Sequence, residues 1–121
     1  MQALADVTLT NDQRLLIDAL VPRLCEELRA QSVWLYGSRA RAEPPSPDSD
    51  VDLLVIAPGE RWDNLLRADK LLYEIAEETG ADPVPFSIQV WDRAWLNRRR
   101  EVRSFFIQEV DRDKIVLAGE P

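Results

Sequence analysis

Two apolar runs joined across a Gly-Ser turn constrain this chain more than any other feature. From Val33 to Ile56 it reads VWLYGSRARAEPPSPDSDVDLLVI. Ser32–Tyr36 is too short and too apolar for a surface helix and is expected to form a first core strand, with Trp34 and Tyr36 as packing residues. Val51–Ile56 is a continuous apolar run once past the aspartates, as expected of a strand covered on both faces. Between the runs, Gly37 lets the backbone turn tightly and approach a ligand. Ser38 adds a hydroxyl where a short helical turn, Ser38–Ala42, can begin, a place suited to phosphate. The loop Glu43–Ser49 carries three prolines and cannot be regular structure, so it reads as an exposed connection.

The second run opens with Asp50-Val51-Asp52. Strand side chains alternate, which puts Asp50 and Asp52 on one face and Val51, Leu53 and Val55 on the other. Adjacent carboxylates raise each other's pKa unless a cation lies between them, and oxygen ligands on a rigid strand suit Mg²⁺ bridging to a phosphate. Arg39 and Arg41 are the nearby cations that can meet a triphosphate. The plainer alternatives are that the aspartates solvate a strand end and that the arginines are surface charges. Carboxylates on a buried strand are costly without a cation or donors, which favours the metal-nucleotide reading.

Around this unit the chain predicts helices and two further short strands. Thr10 with Gln13 fits a capping box, followed by Leu16, Ile17, Leu20, Val21, Leu24 and Leu28 at helical spacing to about Arg29, with Pro22 expected to bend or divide the helix. Cys25 lies near the apolar face and reads as a packed thiol. A second helix starts near Trp62, carries Leu65, Ala68, Leu72, Ile75 and Ala76, and stops at Gly80. Phe86–Val90 reads as a third strand and Asp92 as the N-cap of a helix through Trp95 and Leu96. Phe105–Val110 suggests a last helix and Ile115–Leu117 a final apolar strand or tail. Arg98, Arg99, Arg100 and Arg103 form the one dense basic cluster, with Trp95, Phe105 and Phe106 beside it, a candidate surface for a protein partner.

Composition excludes several classes. The 121 residues suit one domain, 1–121, with one core. Fifteen basic against 22 acidic residues give a net charge of −7, which disfavours nucleic-acid backbones. No apolar run approaches a membrane span and the N-terminus lacks the layout of a signal peptide, so a cytoplasmic protein is expected. With one cysteine and no histidine, catalysis must use carboxylates, hydroxyls or bound metal.

Gly37-Ser38 followed by Asp50-x-Asp52 on the next strand resembles the DNA polymerase β-type nucleotidyltransferase superfamily. Chain length, the helix before the first strand, the SRAR segment and the closing FFIQEVDRDKIVL are similar to its minimal nucleotidyltransferase (MNT) group. The resemblance implies an α/β (α+β) fold, a small mixed sheet flanked by helices. It implies Mg²⁺ as cofactor, held by Asp50 and Asp52 as catalytic and metal-binding residues, and ATP as substrate, gripped by Gly37, Ser38, Arg39 and Arg41. It also implies an antitoxin role beside a HEPN-type toxin as protein partner, with AMP passed to a hydroxyl of that partner, in a homo- or hetero-oligomer.

Three departures from the pattern stand out. The spacer Arg39–Ser49 is one residue longer than in many members, Ala42 stands where a glycine is usual, and Ser87 occupies the place of a third carboxylate. A serine is a weak metal ligand and no base. The alternative function is therefore a catalytically impaired antitoxin, or a nucleotide-binding module, that acts by contact alone.

Overall fold

The computed structural model describes residues 9–41 and 50–121, so the expectations for the N-terminal segment, for Ala42 and for the Pro-rich loop lie outside the described residues. The order of elements is α1 (Asn11–Leu28), β1 (Ser32–Tyr36), β2 (Val51–Ile56), α2 (Arg61–Thr79), β3 (Phe86–Trp91), α3 (Arg93–Glu101), α4 (Phe105–Asp113) and β4 (Ile115–Gly119). The strands form one mixed sheet in the order β3-β2-β1-β4. β1 runs antiparallel to β2 and β4, and β3 runs parallel to β2. A parallel neighbour requires a crossover, and α2 supplies it.

Local signals account for most helix boundaries. At the head of α1 the Thr10 hydroxyl accepts from Gln13 N–H at 3.1 Å while the Gln13 side chain accepts from Thr10 N–H at 3.0 Å. Such a cap is worth about 1 kcal/mol. Asp92 accepts from Trp95 N–H and starts α3, Ser104 accepts from Ile107 N–H and starts α4, and Gly80 ends α2 in the left-handed conformation at φ 76°. Pro22 does not divide the helix, and α1 is continuous through it. The carbonyl that Pro22 leaves without a partner belongs to Asp18, four residues back; both residues are exposed, so water replaces the lost donor.

Period-two alternation divides the sheet between two cores. Val33, Leu35, Val51, Leu53, Val55, Ile88 and Val90 pack under α1 and α2, against Leu16, Leu20, Leu24, Leu72 and Ile75. Trp34, Tyr36, Leu54 and Ile56 point the other way and pack against Trp95 and Leu96 of α3 and Ile107 and Val110 of α4. Fully burying each leucine or isoleucine contributes roughly 1.5–3 kcal/mol; the first core contains several with no exposure and the second has Leu54 and Ile56. Asp52 falls on the α3–α4 face, beyond the end of its apolar cover. Cys25 is half-buried against the α1–α2 core. Among the described residues no helix is long and apolar enough to cross a membrane.

Candidate active site

Strand register builds the site. Asp52 is paired with Tyr36 on β1 and with Ser87 on β3, so Tyr36, Asp52 and Ser87 form one row across three strands on the α3–α4 face. Gly37 follows β1 at φ 78°, and a β-carbon there would lie 2.6 Å from Asp52 Oδ2. Glycine is thus required twice, for its backbone conformation and for the space the carboxylate fills. Ala40 and Arg41 N–H both donate to Gly37 C=O, at 3.1 and 3.2 Å, which closes one helical turn over Ser38. The half-exposed Ser38 sits at its start.

Electrostatics at Asp52 are unfavourable to a lone carboxylate. Burial raises its pKa, repulsion from Asp50 raises it further, and Arg41 only partly offsets both. Asp50 itself is exposed just before β2. Beside the pair, Tyr36 is pushed up to about 12 by burial and then by the Asp52 charge, against a hydrogen bond from Gln89 that lowers it. Among the described residues no three His, Cys, Asp or Glu side chains gather as a metal-binding group. Two carboxylates together with phosphate oxygens and water still fit Mg²⁺, which commonly takes only one or two protein ligands at a nucleotide site.

The structure brings Gly37, Ser38, Arg41, Asp50 and Asp52 to one end of the sheet. Arg41 lies 3.8 Å from Asp113 at the end of α4. Arg39 goes elsewhere: it is only 6% exposed, and its guanidinium donates to Gln13 Oε1 at 3.2 Å, on the α1 side. Asp92, the nearest later acid to Ser87, is occupied as the α3 N-cap. Of the basic cluster, Arg100 turns inward to a bidentate pair with Asp111, at 3.0 and 2.8 Å, and ties α3 to α4. Arg98, Arg99 and Arg103 remain exposed beside Phe105, whereas Trp95 is buried and Phe106 half-buried.

Sequence reasoning missed what lies along β3 beyond Ser87. Gln89 donates to the Tyr36 hydroxyl and accepts from Trp91 Nε1, both at 3.0 Å. Trp91 stacks on Trp95 with ring centroids 4.5 Å apart and planes 9° from parallel. The signal was the alternation in FSIQVW, which puts Ser87, Gln89 and Trp91 on the face that carries Asp52.

The nucleotidyltransferase domain profile matches residues 17–117. No curated protein matches the chain. A candidate nucleotidyltransferase from Sulfolobus solfataricus shares the fold, with a TM-score of 0.55 at 17% identity over 90% of this chain and 84% of that one. A toxin-antitoxin structure with AMP-PNP is similar at a TM-score of 0.48 and 21% identity, over 92% of this chain and 75% of that one. A mutant of the toxin-antitoxin MntA-HpeT stands at 0.49 and 18%, with the same coverage.

Proposed function

This chain belongs to the nucleotidyltransferase domain family, and on that premise we propose that it binds a magnesium nucleoside triphosphate, ATP, and transfers the nucleoside monophosphate slowly to a hydroxyl of a partner protein. The partner is a HEPN-type toxin, by the resemblance to MNT antitoxins. The observation that carries the reading is the row Tyr36–Asp52–Ser87 with Gly37 against Asp52. A half-buried carboxylate with a second one beside it is stabilised by a divalent cation, and Asp52 lies against the turn suited to phosphate.

In this reading Asp50 and Asp52 hold Mg²⁺, which supplies charge stabilisation of the transferring phosphoryl group. Gly37 and Ser38 grip the triphosphate tail through the backbone and one hydroxyl, with Arg41 alongside. Arg39 has no direct part, being buried against Gln13. The acceptor oxygen bonds to the α-phosphorus as the bond to the pyrophosphate oxygen breaks. The acceptor proton leaves to water, since Ser87 is no base at neutral pH. That last point favours slow transfer, and its extreme is the second reading, an antitoxin that neutralises its partner by contact alone.

The test uses labelled ATP, Mg²⁺ and the protein encoded by the neighbouring gene. Label incorporated into the partner and lost in Asp50→Asn/Asp52→Asn supports transfer. Mg·ATP affinity unchanged in that double variant, measured by calorimetry, overturns the metal site. Binding without any incorporation leaves the contact-only antitoxin.

A further inference from the structure

Arg41 is fixed at its backbone, while its side chain is exposed between two hollows. Its N–H donates to Gly37 C=O at 3.2 Å and so belongs to the turn that closes over Ser38. One hollow, of about 110 Å³, is bounded by Tyr36, Gly37, Phe106 and Glu109. The other, of about 520 Å³, is bounded by Arg112, Asp113 and Lys114 where α4 passes into β4. The Arg41 guanidinium stands 3.8 Å from Asp113 Oδ2. Its charge also reaches Asp52, where burial and then Asp50 raise the pKa that Arg41 lowers.

Asp113 is the last residue of α4, where the carbonyl end of a helix disfavours a carboxylate. Two arginines offset that. Arg112 makes a bidentate pair with it at 3.0 and 2.9 Å, and Arg41 stands beyond hydrogen-bond distance. The Asp113 carboxyl is held below the usual carboxylate range, first by the Arg112 hydrogen bonds and last by the Arg41 charge. Withdrawal of Arg41 therefore leaves Asp113 paired, whereas loss of Arg112 strengthens its hold on Arg41.

This inference rests on the transfer reading, in which the pyrophosphate end of the triphosphate lies at Gly37, Ser38 and Arg41. A phosphate in that turn and the Asp113 carboxylate present like charges to one guanidinium. We propose that Asp113 competes with the pyrophosphate group for Arg41 and so sets how readily pyrophosphate leaves after transfer. A competitor built into the protein lowers the apparent affinity of every ligand that needs Arg41, in proportion to the share of Arg41 that it holds. A partly exposed pair without a hydrogen bond holds only weakly, so the triphosphate still draws Arg41 across while the departing product is displaced more easily.

Isothermal titration with Mg·pyrophosphate and with Mg·ATP tests this. Asp113→Asn should tighten both by about threefold and Arg112→Gln should weaken both by about twofold, the range of a solvent-exposed ion pair. Both effects should vanish for Mg·ATP in the Arg41→Gln background, which keeps the Asp50 and Asp52 contacts to the metal. Arg112 and Arg41 are exposed, so their arm stands whether or not Asp113→Asn folds. Changes that persist in Arg41→Gln are effects of bulk charge and overturn the proposal. It falls equally if Asp113→Asn weakens pyrophosphate or leaves it unaltered, the result expected of a carboxylate that only braces Arg41. An intact chain that binds neither Mg·pyrophosphate nor Mg·ATP would overturn the transfer reading itself, and the proposal with it.

Discussion

Replacing Gly37 by alanine should damage the site in a way that a matched control separates from ordinary backbone strain. Gly37 and Gly80 share the left-handed region, at φ 78° and 76°, but a β-carbon at Gly80 meets nothing within 4 Å whereas at Gly37 it lies 2.6 Å from Asp52 Oδ2. Left-handed backbone costs an alanine roughly 1–2 kcal/mol at either place. At Gly37 the Asp52 carboxylate must also leave its rotamer or the turn must shift, adding on the order of 1 kcal/mol. With a urea m-value of about 2 kcal/mol/M, Gly37→Ala should unfold roughly 0.5 M earlier than Gly80→Ala. Isothermal titration with Mg·ATP should show weakened binding in Gly37→Ala and unchanged binding in Gly80→Ala. Equal unfolding midpoints together with equal affinities would refute the claim that Gly37 exists to accommodate Asp52.

Ser87→Asp places a carboxylate directly beside Asp52 in register and should raise the rate of AMP incorporation into the partner by ~10²–10⁴-fold, the usual contribution of a positioned acid–base group; robust wild-type transfer that the change leaves unaltered would show the third acid lies elsewhere. Reversing charge at Arg99 and Arg103 should weaken capture of the partner in a salt-titrated pull-down, and unchanged capture would remove this surface from recognition. Tyr36 should titrate near pH 12 by absorbance at 295 nm, and Asp52→Asn should bring it down without restoring the ordinary value, because burial is the larger cause. Its raised pKa contributes stability that is full below about pH 10 and fades as pH rises through 12. Asp111 is raised by burial but lowered more by Arg100 and Lys114, for a net depression. It therefore stabilises above about pH 4 and loses that contribution as pH falls further. Asp111→Asn should lower Tm at pH 6, with a deficit that shrinks toward pH 2; a deficit independent of pH would assign the loss to packing alone.

What was readable in the chain was local. Thr10 with Gln13, Gly80 and Asp92 mark helix ends through groups a few residues away, and the structure places the caps there. The alternation in β2 likewise separates Asp52 from Leu53 within one strand. Placement across strands is a different matter. That β3 runs parallel to β2, or that Gln89 reaches Tyr36, depends on a crossover of nearly thirty residues whose register no local pattern records. Arg39 and Arg41 look equivalent in SRAR, yet one turn of backbone sends Arg39 under α1 and leaves Arg41 beside Asp52. Pro22 reads as a bend or a division of α1, and sequence alone does not show that Asp18 is exposed where the helix runs on.

The pairing of β1 with β4 has a kinetic consequence. Ser32 Oγ donates to Glu120 C=O across 88 residues of chain, and Trp34 Nε1 donates to the same oxygen across 86. β1, central in the finished sheet, therefore keeps one edge open until nearly the whole chain has collapsed around it. Closing so long a loop is slow compared with forming the helices. During that interval the exposed edge of a five-residue apolar strand can pair with a neighbouring molecule instead. Refolding yield should then fall as protein concentration rises, even though the native sheet, once closed, offers no such edge at β1.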